Sequence, residues 1–182
     1  VNHLALCCKD MANTVDFYTN VLGMPMTKTI DLANGMGQHF FFDMRKGDGL
    51  AFFWFPNAPA AAPGVASAAN LPGGGSIVSG HGSMNHVAFN IPAEKVDEYH
   101  EKLLARGVQC TKVVNHDDSD RQISPDVSPS TFVRSIYFYD PDGICLEFAA
   151  WTRPLDPKID VKHEPVDAQG HKKPVRHLEP AE

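Results

Sequence analysis

Val1-Asn2-His3-Leu4-Ala5-Leu6 and Met84-Asn85-His86-Val87-Ala88-Phe89 decide the fold, because they are two copies of one segment. Each is a short apolar run with a histidine near its start. Read as β-strands, they put His3 and Ala5 on one face and, in the second copy, His86 and Ala88 on one face. A helical pattern follows each. In the first copy Asp10 is placed to cap, Val15, Tyr18 and Leu22 form an apolar stripe, and Gly23 ends the helix. In the second copy Val96, Tyr99 and Leu103 repeat the stripe and Gly107 ends it. Three further strands are predicted in each copy, at 25–31, 36–44 and 49–56 and at 108–115, 131–139 and 143–150. Asp48-Gly49-Leu50-Ala51-Phe52-Phe53 lies over Asp142-Gly143-Ile144-Cys145-Leu146-Glu147, with Asp-Gly a turn signal in both.

The predicted class is therefore α+β: two βαβββ modules forming an open, cup-shaped mixed β-sheet with flanking helices. The modules span 1–56 and 84–151. Residues 57–83, rich in Ala, Pro, Gly and Ser, are read as a linker, with a flap over the cup as the alternative. Residues 152–182 carry five prolines and no apolar periodicity. They are read as an extended C-terminal arm lying on the domain or on a partner subunit. His163, His171 and His177 in that arm are too loosely spaced and proline-broken to be read as a metal site.

The bulk properties narrow the function classes. The chain has 182 residues, 43% hydrophobic and 21% charged, with a formal net charge of -6, so no basic footprint for nucleic acid or an anionic membrane exists. No apolar run approaches the roughly 18 residues of a membrane span, and no leader-like segment precedes the first strand. The chain starts at Val1, so residues upstream are expected. Cys7, Cys8, Cys110 and Cys145 form no CxxC pair and read as small buried filler in a reducing cytoplasm. The expected partners are a small-molecule substrate and further copies of this chain, as a homodimer or higher homo-oligomer.

The repeat also gathers a candidate metal site. His3 and His86 hold matching positions on matching strands. On the last strand Cys145, Glu147 and Ala149 share one face, opposite the apolar Ile144, Leu146 and Phe148. Glu147 then faces the cup, where a carboxylate among apolar neighbours is costly unless paired or bound to a cation. Two imidazoles and one carboxylate form a facial set that holds one divalent ion and leaves positions open. A lone strand histidine or glutamate is ordinarily a packed or solvated residue; the repeat-matched coincidence is what singles these three out.

These His strands, the helix ending in Gly, and Tyr137-Phe138-Tyr139-Asp140-Pro141-Asp142-Gly143 leading to Glu147 resemble the vicinal-oxygen-chelate superfamily over residues 1–151. That superfamily includes glyoxalase I, bleomycin- and fosfomycin-resistance proteins, methylmalonyl-CoA epimerase and extradiol dioxygenases. Its members share a fold and a metal-chelating strategy while their reactions differ. The resemblance implies that Phe53 stands where glyoxalase I places a fourth ligand. The remaining His3/His86/Glu147 set is similar to that of extradiol dioxygenases, which use Fe(II) to cleave catechols. Tyr137, ten residues before Glu147, matches their substrate-bonding tyrosine; the alternative is a packing role. Two departures stand out. The first module's last strand, Phe52-Phe53-Trp54-Phe55, lacks their acid-base histidine, and Ser128-Pro129-Ser130 stands where their signature has another. His39 is the candidate substitute as proton shuttle. Phe41 and Phe53 are candidate walls of an aromatic pocket, or core packing. Arg134 is a candidate anchor for a substrate anion, or a surface residue. The expectation is an Fe(II) oxidoreductase acting on a small aromatic diol. The alternatives are an isomerase, lyase or thiol transferase using redox-silent Zn, Ni or Mn, and a metal-free ligand-sequestering protein.

Overall fold

The computed structural model describes residues 2–62, 65–66, 77–161, 163 and 165–172. Residues 63–64 and 67–76 of the linker segment, and His177 of the arm, lie outside them. The chain divides into a unit spanning Val1–Thr152 and a second, Arg153–Glu182.

In the first unit the two copies fold alike. Strand β1 (His3–Cys8) leads into helix α1 (Met11–Asp16), which continues as a π-helical turn over Phe17–Val21. Strands β2 (Met26–Asp31), β3 (Gln38–Asp43) and β4 (Gly49–Trp54) follow. The second copy runs β5 (Val87–Asn90), α2 (Val96–Ala105), β6 (Val114–Asp117), the two-residue β7 (Ile123–Ser124), β8 (Thr131–Tyr139) and β9 (Cys145–Trp151). The sheets have orders β1-β4-β3-β2 and β5-β9-β8-β6-β7. In each, the first strand lies parallel to the last and the other pairings are antiparallel. The α+β class of two repeated modules is as expected, its mixed β-structure forming one sheet per module, and β1 and β5 each stand at a sheet edge.

The local signals act as predicted. Asp10 accepts a hydrogen bond from the Asn13 amide, supplying one of the acceptors a helix start lacks. Gly23 and Gly107 take φ of 75° and 74° just past the helices, a region that favours glycine. Apolar alternation then builds the core. Phe42, Leu50 and Phe52 of the first sheet, and Ile136, Phe138 and Leu146 of the second, are fully buried. Each contributes about 1.5–3 kcal/mol of burial.

The two copies are tied through the β8–β9 turn. Asp140 accepts from the amides of Asp142 and Ile144 through Oδ1. Its Oδ2 accepts from the Tyr18 hydroxyl at 3.1 Å. Asp142 accepts from the Lys9 amide. Tyr18, fully buried, packs on Phe42 and Phe52 with ring centroids 5.6 and 4.7 Å away. The Asp-Pro-Asp-Gly segment is thus a clamp held by the first copy.

One glycine permits a close approach. Gly37, with φ of 147°, precedes β3, and a Cβ there would sit 2.0 Å from the Trp54 carbonyl oxygen. Because backbone cannot swing aside, Gly37→Ala is expected to cost about 3 kcal/mol. A thermal melt should show a Tm lower by roughly 10 °C; an unchanged melt would contradict this packing.

In the second unit, the Arg153 guanidinium bonds both carboxylate oxygens of Asp160, which ends the short helix α3 (Pro157–Asp160). His171 lies 3.5 Å from Asp167, four residues earlier in its own turn.

Candidate metal centre

His86 immediately precedes β5, and Ala88 pairs with Glu147 on β9. That parallel register puts both side chains on one face, with His86 Nε2 3.0 Å from Glu147 Oε2. Glu147 is 5% exposed. Burial acts to raise its carboxyl, but its contact with His86 above all holds it below its ordinary value. Glu147 in turn raises His86, against the effect of burial.

The other ring nitrogen is equally informative. His86 Nδ1 lies 2.9 Å from Asn85 Oδ1. The Asn85 amide is oriented by its own nitrogen, which donates to the Ile77 carbonyl and to Ser79 Oγ. Nδ1 therefore carries the proton, and a neutral His86 turns an unprotonated Nε2 toward an anionic oxygen. Two lone pairs 3.0 Å apart need a cation between them or a second ring proton. Ser135 Oγ, fully buried on the same face, has no properly directed hydrogen-bond partner. This donor set fits a divalent ion. The first copy repeats the pair: His3 Nδ1 lies 2.8 Å from Asn2 Oδ1. The two Asn-His pairs were visible in the repeat, but the orienting role of asparagine was not read from it.

His3 does not join His86 and Glu147 within one chain. Among the described residues, no three His, Cys, Asp or Glu side chains gather as a metal-ligating group. His3 is exposed on the first sheet, 5.9 Å from the Phe41 ring. It borders an open cleft of about 260 Å³ with Asn2, Thr27, Asp43 and Asp48.

Register corrects the expected counterpart of Glu147. Leu4 pairs with Leu50 and Val87 with Leu146, so laying His3 on His86 places Ala51, not Phe53, on Glu147. The hairpins agree, since Phe41 opposes Ala51 as Tyr137 opposes Glu147. Gly47 (φ 87°) matches Gly143 (φ 82°) as the turn glycine, whereas Gly49 already opens β4. Two Asp-Gly pairs that look alike in sequence occupy different turn positions. Ala51 also lacks a donor atom, so this position offers no fourth ligand.

The remaining predicted residues divide between the sheets. Tyr137 opposes Glu147. Its hydroxyl is pushed up to about 12 by burial and by the Glu147 charge, and it lies 3.2 Å from His116 Nε2. His116 escaped sequence reading because the predicted strand ended at 115; strand alternation carried one residue further would have found it. His39 and Phe53 lie on the first sheet with His3. The His39 ring stacks on Phe53 at 3.6 Å, meets Phe41 edge-on at 4.2 Å, and turns Nδ1 to the Phe52 carbonyl. Phe55 extends the stack. Arg134 is a correction: alternation sends it to the opposite face from Tyr137, where its guanidinium bonds Asp97 on α2 and Asn115. It is a strand-to-helix tie and does not anchor a ligand beside Glu147.

The family model described as the Glyoxalase/Bleomycin resistance protein/Dioxygenase superfamily matches residues 1–148. The fosfomycin resistance protein FosX of Listeria monocytogenes is 36% identical over 80 residues, 44% of this chain and 50% of that protein. The chain thus spans about half the length of the curated relative it matches. A crystal structure of that FosX complexed with Mn(II) and sulfate superposes with a TM-score of 0.53 and 23% identity, covering 84% of this chain and 92% of that one. A glyoxalase/dioxygenase from Nostoc punctiforme superposes with a TM-score of 0.56 and 21% identity, covering 84% and 91%. No described helix is long and apolar enough to cross a membrane. With its repeated modules, its parallel first and last strands and a family match over most of its length, the chain belongs to the glyoxalase/bleomycin resistance/dioxygenase superfamily, the vicinal-oxygen-chelate fold.

Proposed function

We propose that this chain is a divalent-metal enzyme whose site is completed between two copies, with His86 and Glu147 from one and His3 from the other. The observation that carries the reading is the His86–Glu147 pair, a partly exposed imidazole with Nε2 3.0 Å from a buried carboxylate oxygen beside Tyr137. His3 is prepared for the same task by Asn2 but stands on the other sheet. A second copy that brings edge strand β1 alongside edge strand β5 supplies the third ligand. When bound, the ion would act as a Lewis acid toward substrate oxygens and, as Fe(II), would allow chemistry with oxygen. The protein's share is to orient the ligands through Asn2 and Asn85, and to offer the Tyr137 hydroxyl to a substrate oxygen. The Phe41, His39, Phe53 and Phe55 rings line the His3 sheet for a flat apolar body.

The reading is extradiol-dioxygenase-like oxygenation of a small aromatic diol, with His39 as candidate proton shuttle. Protein loaded anaerobically with Fe(II) should consume oxygen when offered a catechol panel; absence of uptake by protein that retains its iron would sink it. A second reading is favoured by the similarity to FosX, crystallised with Mn(II): lyase, isomerase or transferase chemistry on a redox-silent ion. Elemental analysis of protein purified without added metal separates the two, iron supporting the first and Mn, Zn or Ni the second.

A further inference from the structure

Acid-base chemistry at this site has no owner in the ligand set, and the second sheet offers one. His116, on β6, opposes Val133 of β8 and therefore shares a face with Ser135 and Tyr137. Its Nε2 lies 3.2 Å from the Tyr137 hydroxyl. The Gln122 carbonyl, which only accepts, favours a proton on the ring, and with Nε2 set against the Tyr137 hydroxyl that proton belongs on Nδ1. Nε2 is then the acceptor, and the Tyr137 hydroxyl donates to it. The Tyr137 oxygen then keeps lone pairs for a further donor, on a residue that opposes Glu147 across the strand pairing.

We infer that His116 is the proton acceptor of this site, taking a proton from a substrate hydroxyl through Tyr137. The inference rests on the reading of the site as one for a hydroxylated aromatic molecule. In the step, the substrate O–H bond breaks and its proton joins the Tyr137 oxygen. The original Tyr137 proton passes to His116 Nε2. A substrate oxyanion and an imidazolium result, with charge conserved. The surroundings suit this. Burial, the largest influence, holds His116 below its ordinary value and His86 adds to it, while Glu147 on β9, the Gln122 carbonyl and Asp117 on β6 act the other way. Tyr137 alone is a poor final acceptor, since forming its anion is resisted by burial and by Glu147.

The test uses the full chain loaded with Mn(II) and the coloured diol 4-nitrocatechol, whose absorbance reports its ionisation. Wild type is expected to bind the probe and ionise it at a pH well below that of the free diol. His116→Gln keeps a side chain that accepts from Tyr137 but takes no proton. It should shift the ionisation upward by about one pH unit or more, a tenfold change in the proton equilibrium, with manganese content and high-pH affinity unchanged. Tyr137→Phe should shift it in the same direction. A His116→Gln profile that superposes on wild type overturns the inference, as does loss of manganese, which would make His116 a support for the ligands. Wild type that holds manganese and leaves the probe un-ionised overturns it together with the aromatic-diol reading, and the two failures are thereby told apart.

Discussion

Mixing two proteins that each fail to hold metal, His3→Ala and Glu147→Ala, is expected to restore metal binding to about one quarter of the sites. Each variant alone loses one of three ligands in every site, and affinity should fall by more than the roughly hundredfold typical of losing an outer-shell partner. In a mixed pair, one site receives His3 from the Glu147→Ala chain and His86 with Glu147 from the His3→Ala chain. The other site lacks both. Random re-pairing makes half the pairs mixed, and half of their sites are intact. Metal content after unfolding and refolding of the mixture, with the separate variants as controls, reads this directly. If the mixture binds no more than its components, the shared site is wrong. Recovery in His3→Ala alone would show that His86 and Glu147 suffice. Glu147→Gln sharpens the result, because it preserves shape while removing the charge that a buried cation needs.

The second large effect concerns the clamp between the copies. Tyr18→Ala is expected to destabilise the chain by about 5 kcal/mol, since it removes a fully buried ring that packs on Phe42 and Phe52 and strips Asp140 of a donor. A chain of this size should lose roughly 10–20 °C in Tm. Tyr18→Phe keeps the ring and should cost only about 1–2 kcal/mol. A melt in which both variants behave alike would place the whole effect in the hydrogen bond and contradict the packing.

Asp140 gives the clamp a pH signature. Burial pushes its carboxyl up to about 6 from an ordinary 3.8, against the lowering effect of the Ile144 and Asp142 amides and of Tyr18. The folded state therefore binds this proton more tightly than the unfolded chain. The resulting stability is fully present below pH 3.8 and is lost as pH rises through about 6. It amounts to about 3 kcal/mol. Asp140→Asn keeps an acceptor for the two amides and should flatten that slope. Urea titrations at pH 4, 5, 6 and 7 check it; equal pH slopes in wild type and Asp140→Asn would refute it.

Much of the fold was legible because it is written locally. Asp10 caps and Gly23 and Gly107 terminate whatever the rest of the chain does, since each acts on backbone groups a few residues away. Alternation on β9 put Glu147 opposite the apolar face, and strand β8 was placed at its observed bounds, Thr131–Tyr139. Arg134 failed for a related reason: its parity already pointed away from Tyr137, but only the position of Asp97 on α2 gave that face a partner. The alignment of Phe53 with Glu147 failed because two Asp-Gly pairs are indistinguishable until strand pairing shows which glycine turns the chain.

The sequence by itself determined the family, the repeat and the residue types able to hold a cation, because periodicity and duplication survive in one dimension. Pairing decided the rest. A hydrogen-bonded register set Ala51 rather than Phe53 against Glu147, brought His116 to the Tyr137 hydroxyl, and left His3 on a different sheet from His86. These are distances between strands far apart along the chain, and a strand's own alternation says which face a side chain takes but never which neighbour it meets there.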